Sequence, residues 1–550
     1  MSLICVPITV LDFSQGLAAA QKAHDLGADL VEFRIDECFS GSSDDAEERL
    51  IVNLVSQSPI PCIVTCRSAS EGGSYDGEDM ERVSLYERLG NASGRSEFPP
   101  RFIDCELATY ARSANIKHKI NLAVQHPKQL RDLSTSLILS IHDFQTRPDD
   151  LTRRLLAAEE EPAAKIVKIA YRARSLRDSL ELLDLASTFP KPLIALGMGE
   201  FGLLSRILAP KFGGFLTFAS LDKTSSTAPG QPTLHQLKEV YGFHRINTDT
   251  KVFGIVGWPV AQSLSPLVQN AGFAALEEDA VYVPLPVIGG ADRAASYISF
   301  KATILELLAH PKLDFTGCSV TIPHKENFVK LAIEQGWTVD PLALTVGAAN
   351  TMVVHADRSV SVSNTDIAAA VGAIQTVIPD LAGVRAGIVG AGGVARAIAF
   401  GLAHAGANIT IFNRTRVAAE KLAKALSSTH HGSEFTVADV ADIPMCSCDV
   451  FVNCTPVGMK NGPDDAATSM PIELMNRCKN TPVIFDTVYN PIETPLLKSA
   501  KARGWKTIDG LTMFVAQAEA QFRVFTGKAA PSGLFDRLAR KELSPQSGTE

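Results

Sequence analysis

Residues 3 to 240 alternate short apolar strands with amphipathic helices eight times over, and few folds accommodate such a pattern. The strands read as 3–9, 29–36, 61–67, 102–107, 137–142, 165–171, 193–199 and 215–221. Between them, stretches such as 15–26, 151–160 and 176–187 carry apolar residues three and four apart, the helical spacing. Near-continuous apolar strands are buried on both faces, which implies parallel strands covered by helices. Eight such units predict a (β/α)8 barrel over 1–242.

A barrel of this kind places its chemistry at the C-terminal ends of its strands. Polar residues gather there. Glu32 and Arg34 come from the second strand, and Arg67 ends the third. Asp104 and Glu106 lie on the fourth, His142 ends the fifth, and Lys168 lies late on the sixth. Arg206 follows the seventh, and Gln231 lies in the loop after the eighth. A charged group inside a strand is costly unless it is paired or faces a ligand. Taken singly, Asp104 reads as half of a structural ion pair; convergence from so many strands reads as a site. Lys168 stands among Ile and Ala, and an apolar setting lowers an amine's pKa and makes it a nucleophile near neutrality. With His142 as proton shuttle on the preceding strand, the pair predicts Schiff-base chemistry on a ketone.

At 550 residues the chain suggests roughly three or four structural units. Its net charge of −8 offers no basic field for nucleic acid or acidic lipid, so an anionic ligand must be held by local Arg and Lys. Of the ten cysteines, only Cys62/Cys66 and Cys446/Cys448 are close pairs, and neither has zinc-site spacing. No metal is expected, and thiols in a reducing compartment fit best. Met1 leads almost directly into an apolar strand, without a leader pattern, and no apolar run is long enough to span a membrane. The expectation is a cytoplasmic protein.

The segments 32–36 (EFRID), 67–73 (RSASEGG), 142–144 (HDF), 165–170 (KIVKIA) and 228–231 (APGQ) resemble, in order and spacing, the motifs of type I 3-dehydroquinate dehydratases. The resemblance implies that Lys168 forms an imine with the C3 ketone of the substrate, while His142 removes a C2 proton and helps the C1 hydroxyl leave. It also implies that Arg206 clamps the substrate carboxylate and that Glu32, Arg34 and Arg67 hold ring hydroxyls. Glu71 would orient His142. Thr227, where the family usually has Ser, and Gln231 complete the substrate loop.

A short helix after 232–235 and a polar connector at 243–250 lead into the second half. There a strand at 251–256 precedes 263–266 (SLSP), where Ser265 reads as a helix N-cap. Polar clusters follow further apolar runs at 319–325 (SVTIPHK), 347–351 (GAANT) and 363–366 (SNTD). At 387–397 a strand enters a Gly-rich turn, Gly390-Ala391-Gly392-Gly393-Val394, then a helix at 394–405 and a strand at 409–412, the βαβ context of a dinucleotide site. That second strand ends in Asn413-Arg414-Thr415 in place of the acidic residue typical of NAD binding, which favours NADP.

Together these motifs resemble shikimate dehydrogenases across 250–535. The resemblance implies a Lys325–Asp366 catalytic pair, with Lys325 protonating the carbonyl oxygen. Ser263, Ser265, Thr321, Asn350, Tyr489, Gln517 and Gln521 would hold the carboxylate and hydroxyls. Gln262 replaces a usual His. The predicted plan is a barrel (1–242), a connector (243–250), an α/β substrate-binding domain (251–366, completed by 515–540), a Rossmann NADP-binding domain (367–514) and a disordered tail (541–550). Dehydration of 3-dehydroquinate yields the very ketone the second site would reduce to shikimate, so the expectation is a bifunctional enzyme. Two alternatives are a second half acting on quinate and a non-catalytic sensor of quinate or dehydroquinate. Oligomeric state is not legible.

Overall fold

A computed structural model describes residues 2–41, 45–90, 99–128, 134–222, 225, 228–430, 432–460, 462, 464–472 and 481–544. Thr227 and the tail from 545 onward lie outside the described residues. The chain divides into two compact units, Met1–Lys251 with Asp279–Pro286, and Val252–Glu278 with Val287–Glu550.

Eight strands build the first unit: β1 (Leu3–Thr9), β2 (Leu30–Arg34), β3 (Cys62–Thr65), β4 (Phe102–Glu106), β5 (Ser136–Asp143), β6 (Ala164–Arg172), β7 (Leu193–Met198) and β8 (Leu216–Phe218). They pair in parallel in the order β7-β6-β5-β4-β3-β2-β1-β8. A hydrogen bond from Phe215 N to Leu193 O (2.9 Å) draws the two outer strands together. Alternate residues of a strand share a face, and here that parity sets layers inside the barrel. The lowest is apolar: Leu30, Ile63, Phe102, Ile138, Ile166 and Ile194 belong to one buried cluster. Two residues further along each strand come Glu32, Thr65, Asp104, Ser140 and Lys168, all buried. Arg34, Arg67, Glu106 and His142 follow two residues later. The apolar layer closes the floor and the polar layers face upward.

In the second unit, strand β9 (Lys251–Gly257) pairs in parallel with β11 (Phe315–Val320), which pairs antiparallel with β13 (Thr351–Val354). Next come β14 (Val360–Ser363), antiparallel to β13, and β12 (Thr338–Val339), parallel to β14; β10 (Ala280–Pro286) falls in the segment grouped with the first unit. Six further strands, β15 (Arg385–Val389), β16 (Asn408–Phe412), β17 (Phe435–Ala438), β18 (Val450–Asn453), β19 (Val483–Asp486) and β20 (Thr507–Ile508), pair in parallel in the order β17-β16-β15-β18-β19-β20. That is the doubly wound dinucleotide-binding order, whose ligands sit beyond the strand C-termini where the order reverses, between β15 and β18.

Three local expectations shift. Ser265 opens the helix Ser265–Ala275 instead of capping it; Ser263 Oγ accepts from Ser265 N at 3.2 Å, and Pro266 lies in the first turn. The cap position itself is Leu264, which offers no side-chain acceptor, so the serine two positions before the helix takes one of its free N–H groups instead. The connector is not simply polar, because a turn at Phe243–Arg245 buries Phe243. The helix Leu534–Leu543 extends into the expected disordered tail, anchored by buried Phe535 and Ala539. Among the described residues no helix is long and apolar enough to cross a membrane.

Candidate functional sites

At the C-terminal end of the barrel a cavity is lined by Glu32 and Arg34 of β2, Arg67 and Glu71 from beyond β3, His142 of β5 and Lys168 of β6, and by Arg206 and Gln231 from beyond β7 and β8. Its walls are Phe144, Met198 and Phe218. Lys168 Nζ lies 2.9 Å from Asp104 Oδ2 and 3.4 Å from Glu32 Oε1, and 4.6 Å from the centre of the Phe218 ring. The apolar setting expected for Lys168 is thus wrong. Its neighbours in sequence are apolar, but its neighbours in space are carboxylates brought by β2 and β4.

Asp104 is more than the structural ion pair read from sequence, because it touches the lysine. Its Oδ1 accepts from Arg67 Nη2 at 2.7 Å and from Ser140 Oγ at 2.6 Å, leaving Oδ2 for Lys168. Burial alone would raise its pKa, yet the Arg67 and Lys168 cations outweigh that and hold it below the usual carboxylate range. Arg67 also pairs with Glu106 at 3.2 Å, and Glu32 accepts from Thr65 Oγ1 at 2.8 Å.

His142 is fixed twice by Glu71 Oε2, through its backbone N (3.0 Å) and its ring Nδ1 (3.1 Å). Glu71 sits on a one-turn helix, Ala69–Glu71, that Gly72 ends at φ 78°. A side chain at Gly72 would strike Phe144, with Cβ 2.2 Å from its ring. Burial pushes the Glu71 carboxyl up to about 7, and burial with the nearby Arg67 and Lys168 cations pushes His142 down. Arg34 forks onto Asp36 at 2.8 and 2.9 Å. Arg206 is buried, donates from Nε to Gly197 O at 3.0 Å, and faces no carboxylate among the described residues. Burial alone lowers its pKa to about 10. A desolvated guanidinium at a cavity wall is suited to an anion.

In the second unit Lys325 starts the helix Lys325–Glu334, and Asp366 lies in the first turn of the helix Thr365–Gln375. Their charged groups meet at 2.6 Å. Asn364 caps the second helix by accepting from Asp366 N at 3.0 Å, and a helix N-terminus favours a carboxylate there. Asn350 locks the same turn, donating to Thr365 Oγ1 (3.0 Å) while accepting from Thr365 N (2.9 Å). The long helix Gly510–Thr526 returns Gln521 to this sheet, where its Oε1 accepts from Ser319 Oγ at 2.7 Å and its Nε2 donates to Thr351 Oγ1 at 3.2 Å. Gln517 lies one turn earlier, half-buried, and the Tyr489 ring packs against Phe514 of that helix, centroids 4.9 Å apart and planes tilted by 36°. Burial raises the Tyr489 phenol to about 12. Ser263 is half-buried and Ser265 buried. Thr321 O accepts from His324 N at 2.9 Å. Ser319 and His324 carry contacts that the sequence reading did not single out.

The Gly-rich turn fits a dinucleotide. Gly390, at φ 119°, adopts a backbone closed to other residues, and Gly392 precedes the helix Gly393–His404 with no side-chain cap. A Cβ at Gly392 would meet nothing within 4 Å, and one at Gly393 would lie 3.6 Å from the Lys325 side chain. The turn is therefore an open cradle of N–H groups beside the second lysine, bounded by Ala391 and Val394. At the end of β16, Asn413 Nδ2 donates to Thr415 O at 2.9 Å. Arg414 is exposed and forms no ion pair among the described residues, whereas Arg416 pairs with Glu420 at 3.0 Å. Among the described residues no cluster of His, Cys, Asp and Glu could hold a metal ion.

Comparison with known proteins follows the same division. Residues 4–248 match the type I 3-dehydroquinase family, and residues 255–352 the shikimate dehydrogenase substrate binding domain. Residues 373–458 match the shikimate / quinate 5-dehydrogenase family, and 510–538 the shikimate 5'-dehydrogenase C-terminal domain. The chain is 35% identical, over 98% of its length and 84% of the relative's, to a bifunctional 3-dehydroquinate dehydratase/shikimate dehydrogenase, chloroplastic, of Arabidopsis thaliana. A shikimate dehydrogenase (NADP(+)) of Methanocella arvoryzae is 37% identical across 53% of this chain and 99% of its own. A crystal structure of a shikimate dehydrogenase in complex with NADP+ aligns with 55% of this chain and 98% of its own, at 32% identity and a TM-score of 0.48.

Proposed function

Because the chain belongs to the family of bifunctional 3-dehydroquinate dehydratase/shikimate dehydrogenases, we propose that its two lysine sites carry consecutive reactions of the shikimate pathway. The barrel dehydrates 3-dehydroquinate to 3-dehydroshikimate, and the second unit reduces that ketone to shikimate with NADPH.

In the first reaction the Lys168 amine adds to the C3 ketone and expels water, leaving a protonated imine. The imine draws electrons from the neighbouring carbon, so the neutral His142, oriented by Glu71, suffices to remove a C2 proton. The same imidazolium returns that proton to the departing C1 hydroxyl, which leaves as water, and hydrolysis of the imine frees Lys168. Asp104 keeps a negative charge beside the nitrogen while it is cationic. Arg206 takes the substrate carboxylate, and Glu32, Arg34, Arg67 and Gln231 line the space for the ring hydroxyls. The observation that carries this assignment is the buried Arg206, a cation without a carboxylate among the described residues, on the wall of the Lys168 cavity.

In the second reaction NADPH, when bound, supplies the hydride. Gly390, Ala391, Gly392, Gly393 and Val394 hold its pyrophosphate by backbone N–H groups, and Asn413, Arg414 and Thr415 hold the adenosine ribose with its 2′-phosphate. Lys325 gives a proton to the carbonyl oxygen, and Asp366 holds the ammonium in place. Ser263, Ser265, Thr321, Asn350, Tyr489, Gln517 and Gln521 orient the carboxylate and hydroxyls. Buried thiols such as Cys62 and Cys66 fit a reducing compartment, which supports a cytoplasmic location.

Borohydride added with 3-dehydroquinate should trap a mass adduct on Lys168, and 3-dehydroquinate with NADPH should yield stoichiometric shikimate. Absence of the adduct would overturn the imine assignment and favour a sensor. Faster NADP-dependent oxidation of quinate than of shikimate would redirect the second site.

A further inference from the structure

Directly before Lys325 stands a histidine that the two reactions leave unused. His324 is completely buried. Its Nε2 lies 2.9 Å from Val287 O, and its Nδ1 lies 3.1 Å from Asn327 Nδ2. A carbonyl can only accept and an amide NH2 only donate, so the partners fix one neutral tautomer, with hydrogen on Nε2. The ring lies against Phe300, with centroids 4.8 Å apart and planes 20° from parallel. Asn327 Nδ2 also reaches Ser296 Oγ at 3.3 Å.

The backbone of His324 is equally committed. Its N donates to Thr321 O at 2.9 Å, and its carbonyl accepts from Phe328 N at 2.8 Å, the first bond of the helix that Lys325 opens. Val287 N in turn donates to Gly257 O at 2.9 Å, at the end of β9. The imidazole therefore ties the start of that helix to the helix Arg293–Ala309, through Ser296 and Phe300, and to the segment after β10. A leucine could fill such a space. Two matched polar contacts in a buried pocket are needed only where one arrangement must be selected over others.

We propose that His324 is a positioning residue for the reduction: by bridging Val287 O and Asn327 Nδ2 while stacked on Phe300, it fixes the first turn of the helix so that Lys325 meets Asp366 at the place where a carbonyl oxygen is protonated. The inference rests on Lys325 being the proton donor. It assigns His324 no contact with substrate. Loss of the bridge lets the lysine wander, which slows proton donation without weakening the groups that hold shikimate or NADP.

His324→Leu tests this in the full-length chain, whose dehydratase activity provides an internal control. Reductase kcat is expected to fall roughly 10- to 100-fold, the scale of an ångström's misplacement of a catalytic group, with both KM values within about threefold. His324→Gln, which can still donate to Val287 O, should recover most of the loss. Asn327→Ala, which spares the ring and its stack, should lower kcat by about 3- to 10-fold and gives a second reading should the leucine variant not fold. Unchanged kcat in His324→Leu and Asn327→Ala would overturn the proposal, and so would a loss carried equally by KM, or a glutamine variant no better than leucine. Lys325→Ala is assayed beside them. If it keeps its reductase activity, the assignment of Lys325 fails; if it alone is inactive, the positioning role of His324 fails.

Discussion

Glu71 and His142 are each pushed toward the uncharged form, yet the dehydration asks one of them for a lone pair. Burial lifts Glu71 to about 7 and drives His142 down. On the proposed mechanism, above that pH the Glu71 carboxylate accepts Nδ1–H and leaves the Nε2 lone pair as the base. Below it the protonated carboxyl donates to Nδ1 and the ring hydrogen moves to Nε2, removing the base. Dehydratase kcat/KM should therefore decline on the acid side of about 7. His142 is lowered too far to be the source of that limb. A pH–rate series on Glu71→Gln should show the limb abolished and the plateau reduced; a wild-type profile flat through this range would refute the assignment. Arg206→Met removes a fork whose charge-assisted bonds are worth about 1.5–3 kcal/mol, so kcat/KM for 3-dehydroquinate should drop roughly 10- to 150-fold. Steady-state kinetics would reveal it, and an unchanged KM would place the substrate carboxylate elsewhere. The place of His142 near the end of its strand was readable in the sequence, but Lys168, read as late on its strand, stands at the middle of β6 because that strand runs on to Arg172. Nor were the surroundings of Lys168 readable. Asp104 and Glu32 lie 64 and 136 residues away from it, and nothing in its own strand names them.

Elements bind to one another here through charge as well as apolar surface. Arg82, on the helix Asp79–Gly90, is almost wholly buried and donates to Asp79 Oδ1 (2.7 Å), Glu106 Oε2 (2.9 Å), Thr109 Oγ1 (2.6 Å) and Cys66 O (2.7 Å). It thus pins its helix to the ends of β3 and β4, just outside the cavity. Removing one partner of a buried pair leaves the other charge stranded, at a cost of about 3–5 kcal/mol. Arg82→Met should lower the temperature at which dehydratase activity is lost while leaving that of the reductase unchanged, with each activity followed after heating the same sample. Equal shifts in both would show the effect to be general. Strand–helix alternation was legible because apolar periodicity is local. The N-cap expected at Ser265 misled because Ser263 and Ser265 both stand near the helix start, and only the backbone geometry shows that Ser265 already lies in the helix. His324 escaped notice for a related reason, since its partners, Val287 and Phe300, come from other elements.

At the scale of the whole chain, a net charge of −8 opposes the anions that both reactions handle, so each site must supply its own cations. Each does so from within its own unit. The barrel cavity draws every lining residue from the first unit, and Lys325, Asp366, Gln521 and the Gly-rich turn all belong to the second. Among the described residues neither site takes a residue from the other unit, so the expectation is that the intermediate crosses by solution. Joining the two in one chain then raises local concentration without being required for turnover. The consequence is measurable in trans. A mixture of Lys168→Ala and Lys325→Ala chains should convert 3-dehydroquinate and NADPH to shikimate, although neither does so alone. A lag should precede steady NADPH consumption and shorten in inverse proportion to the concentration of the Lys168→Ala chain, the one that reduces. Should the mixture make 3-dehydroshikimate in the barrel yet no shikimate, with each variant retaining its own single activity, transfer through solution would be excluded and the two sites would have to share the intermediate within one molecule.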